Sequence, residues 1–171
     1  PVHITKASLK GGSFELMIPS AQVKSALILA GFYSDQPVTL TGALKSRDHT
    51  ERLLQMYGVE IQKTETSITV QPHPRLRPVE FQIPCDPSAA AFWMGASLLS
   101  RQTCTLENVS LNPSRLGFLK VFEDLGIPMV ITQTASHPEP VGHISIEPKD
   151  FKGFEISQEM LPSLIDEVPL L

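Results

Sequence analysis

One ordered pattern occurs twice along this chain of 171 residues. Val38-Thr39-Leu40 returns 66 positions later as Cys104-Thr105-Leu106, and Ser46-Arg47 returns 68 positions later as Ser114-Arg115. Gly58-Val59-Glu60-Ile61 returns as Gly126-Ile127-Pro128-Met129 at the same spacing of 68, and Ile18-Pro19 as Ile83-Pro84 at 65. Ile68-Thr69-Val70-Gln71-Pro72 matches Ile144-Ser145-Ile146-Glu147-Pro148 at 76, the extra length falling in the polar loop Gln133 to Gly142. Anchors that recur in one order restrict the fold to a repeated supersecondary unit.

The elements of that unit follow from local pattern. Phe14 to Ile18 and Val79 to Ile83 alternate like strands. Ser20 suits the N-cap of a helix whose apolar residues Val23, Ala26, Leu27 and Ala30 fall at i, i+3, i+4 and i+7, and the Ala-rich run Ser88 to Leu99 is its counterpart. Strands follow at 38–41 and 104–107. Asp48-x-x-Glu51 reads as a capping-box start of a second helix that buries Leu53, Leu54 and Tyr57 and stops at Gly58. The matching helix runs from about Ser114 to Leu125 and stops at Gly126. Strand pairs 59–63 with 67–71, and 127–132 with 143–147, close the two units. The expected fold is therefore α/β, two near-complete β-α-β-α-β-β units plus the start of a third at Phe154-Glu155-Ile156. His73 to Pro78 is a proline-bounded linker. It places a boundary between residues 1–82 and 83–171.

Composition narrows the function. A formal net charge of −4, with 14 Lys and Arg against 18 Asp and Glu and no run of basic residues, argues against gripping a nucleic-acid backbone. The apolar stretch Ala89 to Leu99 is too short to span a bilayer, and no export signal opens the chain. Cys85 and Cys104 lack the C-x-x-C spacing of a zinc or redox site and suit a reducing compartment. His3, His73, His137 and His143 have no metal-ligand spacing with one another or with the cysteines, so no metal is expected. Pro1 rather than Met begins the chain and Leu171 follows Pro169-Leu170, so both ends read as cut from something longer.

Three polar places can carry chemistry. Ser20-Ala21-Gln22 stands where a strand hands over to a helix, a natural seat for an anion, although Ser20 can equally be only a cap. Ser46-Arg47-Asp48-His49 offers an arginine fork for phosphate, or a solvated surface pair. Leu161 to Pro169 sets Asp166 and Glu167 among apolar residues, where a carboxylate can take a proton from a hydroxyl or merely start a helix. Asp86-Pro87-Ser88 reads as a helix cap.

In chain order, four motifs resemble those of bacterial 5-enolpyruvylshikimate-3-phosphate synthase (3-phosphoshikimate 1-carboxyvinyltransferase). They are Ser20-Ala21-Gln22-Val23-Lys24-Ser25-Ala26-Leu27, Ser46-Arg47-Asp48-His49-Thr50-Glu51, Ile83-Pro84-x-Asp86-x-Ser88-x-Ala90 and Leu161-Pro162-x-Leu164-Ile165-Asp166-Glu167-x-Pro169. UDP-N-acetylglucosamine enolpyruvyltransferase shares that family's fold but matches the first two motifs poorly.

The resemblance implies the enolpyruvyl transferase fold, an inverse α/β barrel of two lobes. Residues 1–82 are then the last unit of one lobe, and 83–171 the first unit and the start of the second unit of the other. It implies that Ser20, Ala21, Gln22 and Ser46 or Arg47 bind shikimate 3-phosphate, that Gln22 also approaches phosphoenolpyruvate, and that Asp166 accepts the 5-hydroxyl proton. It further implies a cytoplasmic enzyme of aromatic amino acid biosynthesis, monomeric at full length, with no cofactor, membrane or nucleic-acid partner. The family's other phosphoenolpyruvate-binding lysine and arginine motifs are not among these residues, and Cys85 stands where the family usually has Gly. The 171 residues are thus expected to be a middle segment, inactive alone. The competing readings are a non-catalytic repeat module for a small anion or partner, and a segment of the sister transferase.

Overall fold

The computed structural model describes residues 2–3, 5–158 and 160–170. Pro1 and Leu171, the two ends singled out in the sequence, lie outside the described residues. The chain divides into two compact units, Pro1–Glu80 and Phe81–Leu171.

The first unit runs β1 (Gly12–Leu16), α1 (Ala21–Gly31), β2 (Val38–Gly42), α2 (His49–Met56), β3 (Ile61–Lys63) and β4 (Ile68–Val70). Its sheet has the order β1-β2-β4-β3. β1 lies parallel to β2, with Gly12 opposite Val38, as a helical crossover between them allows. β2–β4 and β3–β4 are antiparallel, Val38 and Ile61 both standing opposite Val70. Alternation along β2 turns Val38 and Leu40 inward, and they join Ile28, Phe32, Leu54, Val59, Ile61, Ile68 and Val70 in one core. On the outer face Thr39 and Thr69 share a cross-strand hydrogen bond of 2.9 Å. At the start of the unit Lys10 Nζ donates to Asp35 at 2.6 Å and the Gly11 N–H at 3.0 Å. Chiefly the lysine bond, then the backbone bond, holds the Asp35 carboxyl below its ordinary range.

The inward face of α1 is only partly the one its apolar spacing predicts, since Leu27 packs against the core and Ala30 is half-buried but the other two apolar residues point out. Val23 is 45% exposed, Ala26 is exposed too, and the residues buried against the sheet are Lys24, Ile28 and Gly31. Gly31 brings the helix close to the sheet, since a Cβ there stands 2.9 Å from Val70 Cγ2. The capping box of α2 is also absent. Asp48 makes no side-chain cap bond, and its carboxylate instead accepts from Arg52 Nε one turn on, at 2.9 Å. Glu51 is buried away from the cap. The C-terminal end is as expected: Gly58 has φ 85°, and the Val59 N–H returns to the Leu54 carbonyl. Leu54 is buried, whereas Leu53 and Tyr57 are half-buried.

The second unit runs α3 (Pro87–Ser100), β5 (Cys104–Ser110), a 3-10 turn (Pro113–Arg115), α4 (Gly117–Asp124), β6 (Met129–Ala135), β7 (Val141–Ile146) and the single turn α5 (Leu161–Leu164). Its antiparallel sheet has the order β5-β7-β6. The strand expected at 79–83 does not form. Only Cys85 bridges Val109, in parallel, giving its N–H to the Asn108 carbonyl and accepting from Ser110. Pro78 and Pro84 withhold ladder donors on either side, and β5 breaks register with β7 between Leu106 and Val109, where Asn108 takes φ 55°. With that bridge in the place of β1, the second sheet repeats the connectivity of the first. The strand expected at 154–156 is likewise absent. The helix expected from Ser114 is split, because Asn112 caps a 3-10 turn before α4 begins. Phe118 and Phe122 pack edge to face, with centroids 6.1 Å apart, in a core that includes Met94, Val109, Ile144, Ile146 and Leu164.

Candidate active site

In the first unit the polar residues gather where β1 passes to α1 and β2 passes to α2. Ser20 has extended backbone, φ −105° and ψ 116°, and its Oγ accepts the Val23 N–H at 3.3 Å, so it is the N-cap of α1. The same hydroxyl donates to Gln22 Oε1 at 3.3 Å, and Ala21 lies half-buried between them. The first turn of this 11-residue helix carries no acidic side chain, leaving its positive end uncompensated. Hydroxyl, amide and helix end together suit a hydroxylated anion.

The β2–α2 loop carries the second motif. The Ala43 N–H binds the Leu16 carbonyl at 2.8 Å, tying this loop to the end of β1, and Gly42 supplies the turn at φ 82°. Ser46 and Arg47 lie half-buried in the segment that follows. Three contacts join it and the start of α2 to α1. Lys24 Nζ stands 2.7 Å from Glu51 Oε1, the side chains only 1% and 4% exposed, and reaches the Ser46 carbonyl at 3.4 Å. At the adjacent position of each helix, Ser25 and Thr50 share a hydrogen bond of 2.6 Å. The structure therefore ties Ser20-Ala21-Gln22 to Ser46-Arg47 through residues to which local pattern gave no such role: Lys24, Ser25 and Thr50 had none, and Glu51 only that of a cap. Their signal was present, since Lys24, Ser25, Thr50 and Glu51 all lie inside the two motifs.

In the second unit Asp166 is 47% exposed and Glu167 is the buried carboxylate, at 2%. Arg115 links them to the start of α3. Its Nη2 donates to Asp86 Oδ1 at 3.0 Å and to Ser88 Oγ at 2.5 Å, and it stands 3.9 Å from Asp166 Oδ2. Ser88 Oγ in turn donates to Glu167 Oε1 at 2.5 Å. Cation, hydroxyl and carboxylate form a chain in which Arg115 faces Asp86 and Asp166 while the Ser88 hydroxyl links it to Glu167. Asp86 caps α3 as expected, accepting from the Ser88 N–H at 3.3 Å. Asn112 sets the turn that carries Arg115, accepting from the Ser114 N–H at 3.0 Å and donating to Glu139 at 3.0 Å. Sequence reading noted Arg115 only as the repeat of Arg47.

The model of the family EPSP synthase (3-phosphoshikimate 1-carboxyvinyltransferase) matches residues 1–171, the whole chain. The chain belongs to the EPSP synthase family. A 3-phosphoshikimate 1-carboxyvinyltransferase of Chloroflexus aurantiacus is 40% identical over 176 residues, covering all of this chain and 40% of that protein. The Bacillus subtilis protein of the same name is 38% identical over 173 residues, with the same coverage. Among solved structures, EPSP synthase from Acinetobacter baumannii superposes with a TM-score of 0.83 at 31% identity over 95% of this chain and 37% of its own. The α/β fold is thus that of EPSP synthases, and the chain spans about 40% of the length of its curated relatives. Among the described residues no helix is long and apolar enough to cross a membrane.

Proposed function

We propose that these residues form part of an enzyme that transfers the carboxyvinyl group of phosphoenolpyruvate to the 5-hydroxyl of shikimate 3-phosphate. The observation that carries the reading is the joined cluster at the start of α1, in a chain of the EPSP synthase family. Ser20, Ala21 and Gln22 bind shikimate 3-phosphate with the Ser46-Arg47 segment, and Gln22 also faces phosphoenolpyruvate. The 5-hydroxyl oxygen attacks C2 of phosphoenolpyruvate while its proton passes to the Asp166 carboxylate and C3 gains a proton. The tetrahedral adduct then loses inorganic phosphate and a C3 proton, which restores the vinyl group. Asp166 is half-exposed, so a substrate hydroxyl can reach it, and Arg115 stands beside it. Residues 1–82 and 83–171 belong to different lobes of the enzyme, which at full length is monomeric and cytoplasmic.

Titrating the isotopically labelled chain with shikimate 3-phosphate tests the binding half. The amides of Ser20 to Gln22, Ser46 and Arg47 are expected to shift, and Arg47→Ala or Gln22→Ala to weaken binding. For Arg47 the loss is about tenfold or more, the scale of one charged hydrogen bond. A spectrum unmoved by the ligand overturns the assignment. By themselves the 171 residues are expected to release no phosphate from the two substrates, because cage residues acting together do not contribute additively. Phosphate release that Asp166→Asn abolishes is the contrary result.

A further inference from the structure

We infer that Lys24 is a positioning residue of the substrate site, holding the Ser46-Arg47 segment in register with the start of α1 through Glu51 and the Ser46 carbonyl. Lysine and glutamate are almost never this buried unless paired, and here both are. The pair is poorly served as a stability device. Neither Glu51 oxygen makes a hydrogen bond of good geometry, and Ser46 Oγ, buried beside the Lys24 contact, makes none either. An apolar pair of similar volume is often as stable or more so. What the charges supply is location. Lys24 lies one turn into the helix that Ser20 caps, and its ammonium reaches a backbone carbonyl of the loop motif itself. Glu51 lies in the first turn of α2, at the far end of that loop. The loop is therefore gripped at Ser46 and at Glu51, with Arg47 between the two points. No apolar side chain can donate to the Ser46 carbonyl.

This inference rests on reading Ser20 to Gln22 and Ser46-Arg47 as substrate residues, and its test separates the two. The variant is Lys24→Met with Glu51→Met in the 171-residue chain, read by backbone NMR relaxation and by shikimate 3-phosphate titration. In the unmodified chain the amides of residues 44–47 are expected to be as rigid as α1, with order parameters of about 0.85. Values below about 0.6 there overturn the proposal without any variant. In the double variant we expect unfolding close to that of the unmodified chain, loosened amides at 44–47 and a Kd for shikimate 3-phosphate raised about tenfold or more. A folded double variant with the same rigid loop or the same Kd overturns the positioning role. If the unmodified chain binds no shikimate 3-phosphate yet its loop loosens in the variant, the grip on Ser46 stands and the substrate reading falls.

Discussion

Asp166→Asn is expected to lower kcat by about 100-fold or more, the usual scale for a general base. The assay places residues 1–171 in the Chloroflexus aurantiacus relative, replacing the matching 40% of that protein. Asn keeps the shape of Asp and removes its basicity, so the loss falls on the step in which the hydroxyl gives up its proton. KM for shikimate 3-phosphate should move little, because a proton acceptor acts chiefly in the transition state. The surrounding contacts favour a clean result. Glu167 is buried and tied to Ser88, so the backbone beside Asp166 is anchored independently of the Asp166 side chain. Near-normal kcat in the Asn variant makes Asp166 a structural partner of Arg115 and nothing more.

The second large effect is on folding. Lys24→Met alone leaves Glu51 as an unpaired carboxylate in the interior, and breaking one side of a buried pair costs about 3–5 kcal/mol. Whole-domain stabilities are about 5–15 kcal/mol, so the first unit loses a large part of what holds it together. For a domain of this size each kcal/mol shifts Tm by about 4–8 °C. Thermal and urea unfolding should therefore show a fall of about 12 °C or more. Removing both charges should restore most of it. A single variant as stable as the unmodified chain means that water reaches Glu51, which contradicts the burial of the pair.

Where sequence reading succeeded, the responsible physics is local. A serine or aspartate hydrogen-bonds the amides two or three residues on, which is why Ser20 and Asp86 identify the starts of α1 and α3. Gly58 and Gly126 adopt left-handed φ values of 85° and 67°, which glycine reaches without strain, and so mark the ends of α2 and α4. The ordered repeat placed the strands at 38–41 and 104–107, close to β2 and β5. The four motifs, matched in order, pointed to the family that the whole chain proves to share.

Most of the failures share a cause: they depended on a partner distant in the chain. Nothing in α1 itself predicts that its buried face holds a lysine in place of Val23, because burying that charge is tolerable only with Glu51, 27 positions away, beside it. The same glutamate looked like a capping-box residue until that pairing took it inward. At 79–83 a strand-like pattern had no continuous ladder to join, since prolines flank it and β5 bulges at Asn108. Arg115 reaches Asp86 and Ser88, 29 and 27 positions before it, and stands near Asp166 beyond it. The sequence alone determined helix caps, turn glycines and family, since these depend on neighbours within about one turn or on motif order. Which charges are buried, and what they hold in place, was decided only by the tertiary structure, because a charge leaves water only where folding brings a counter-charge or a hydrogen-bond partner to it.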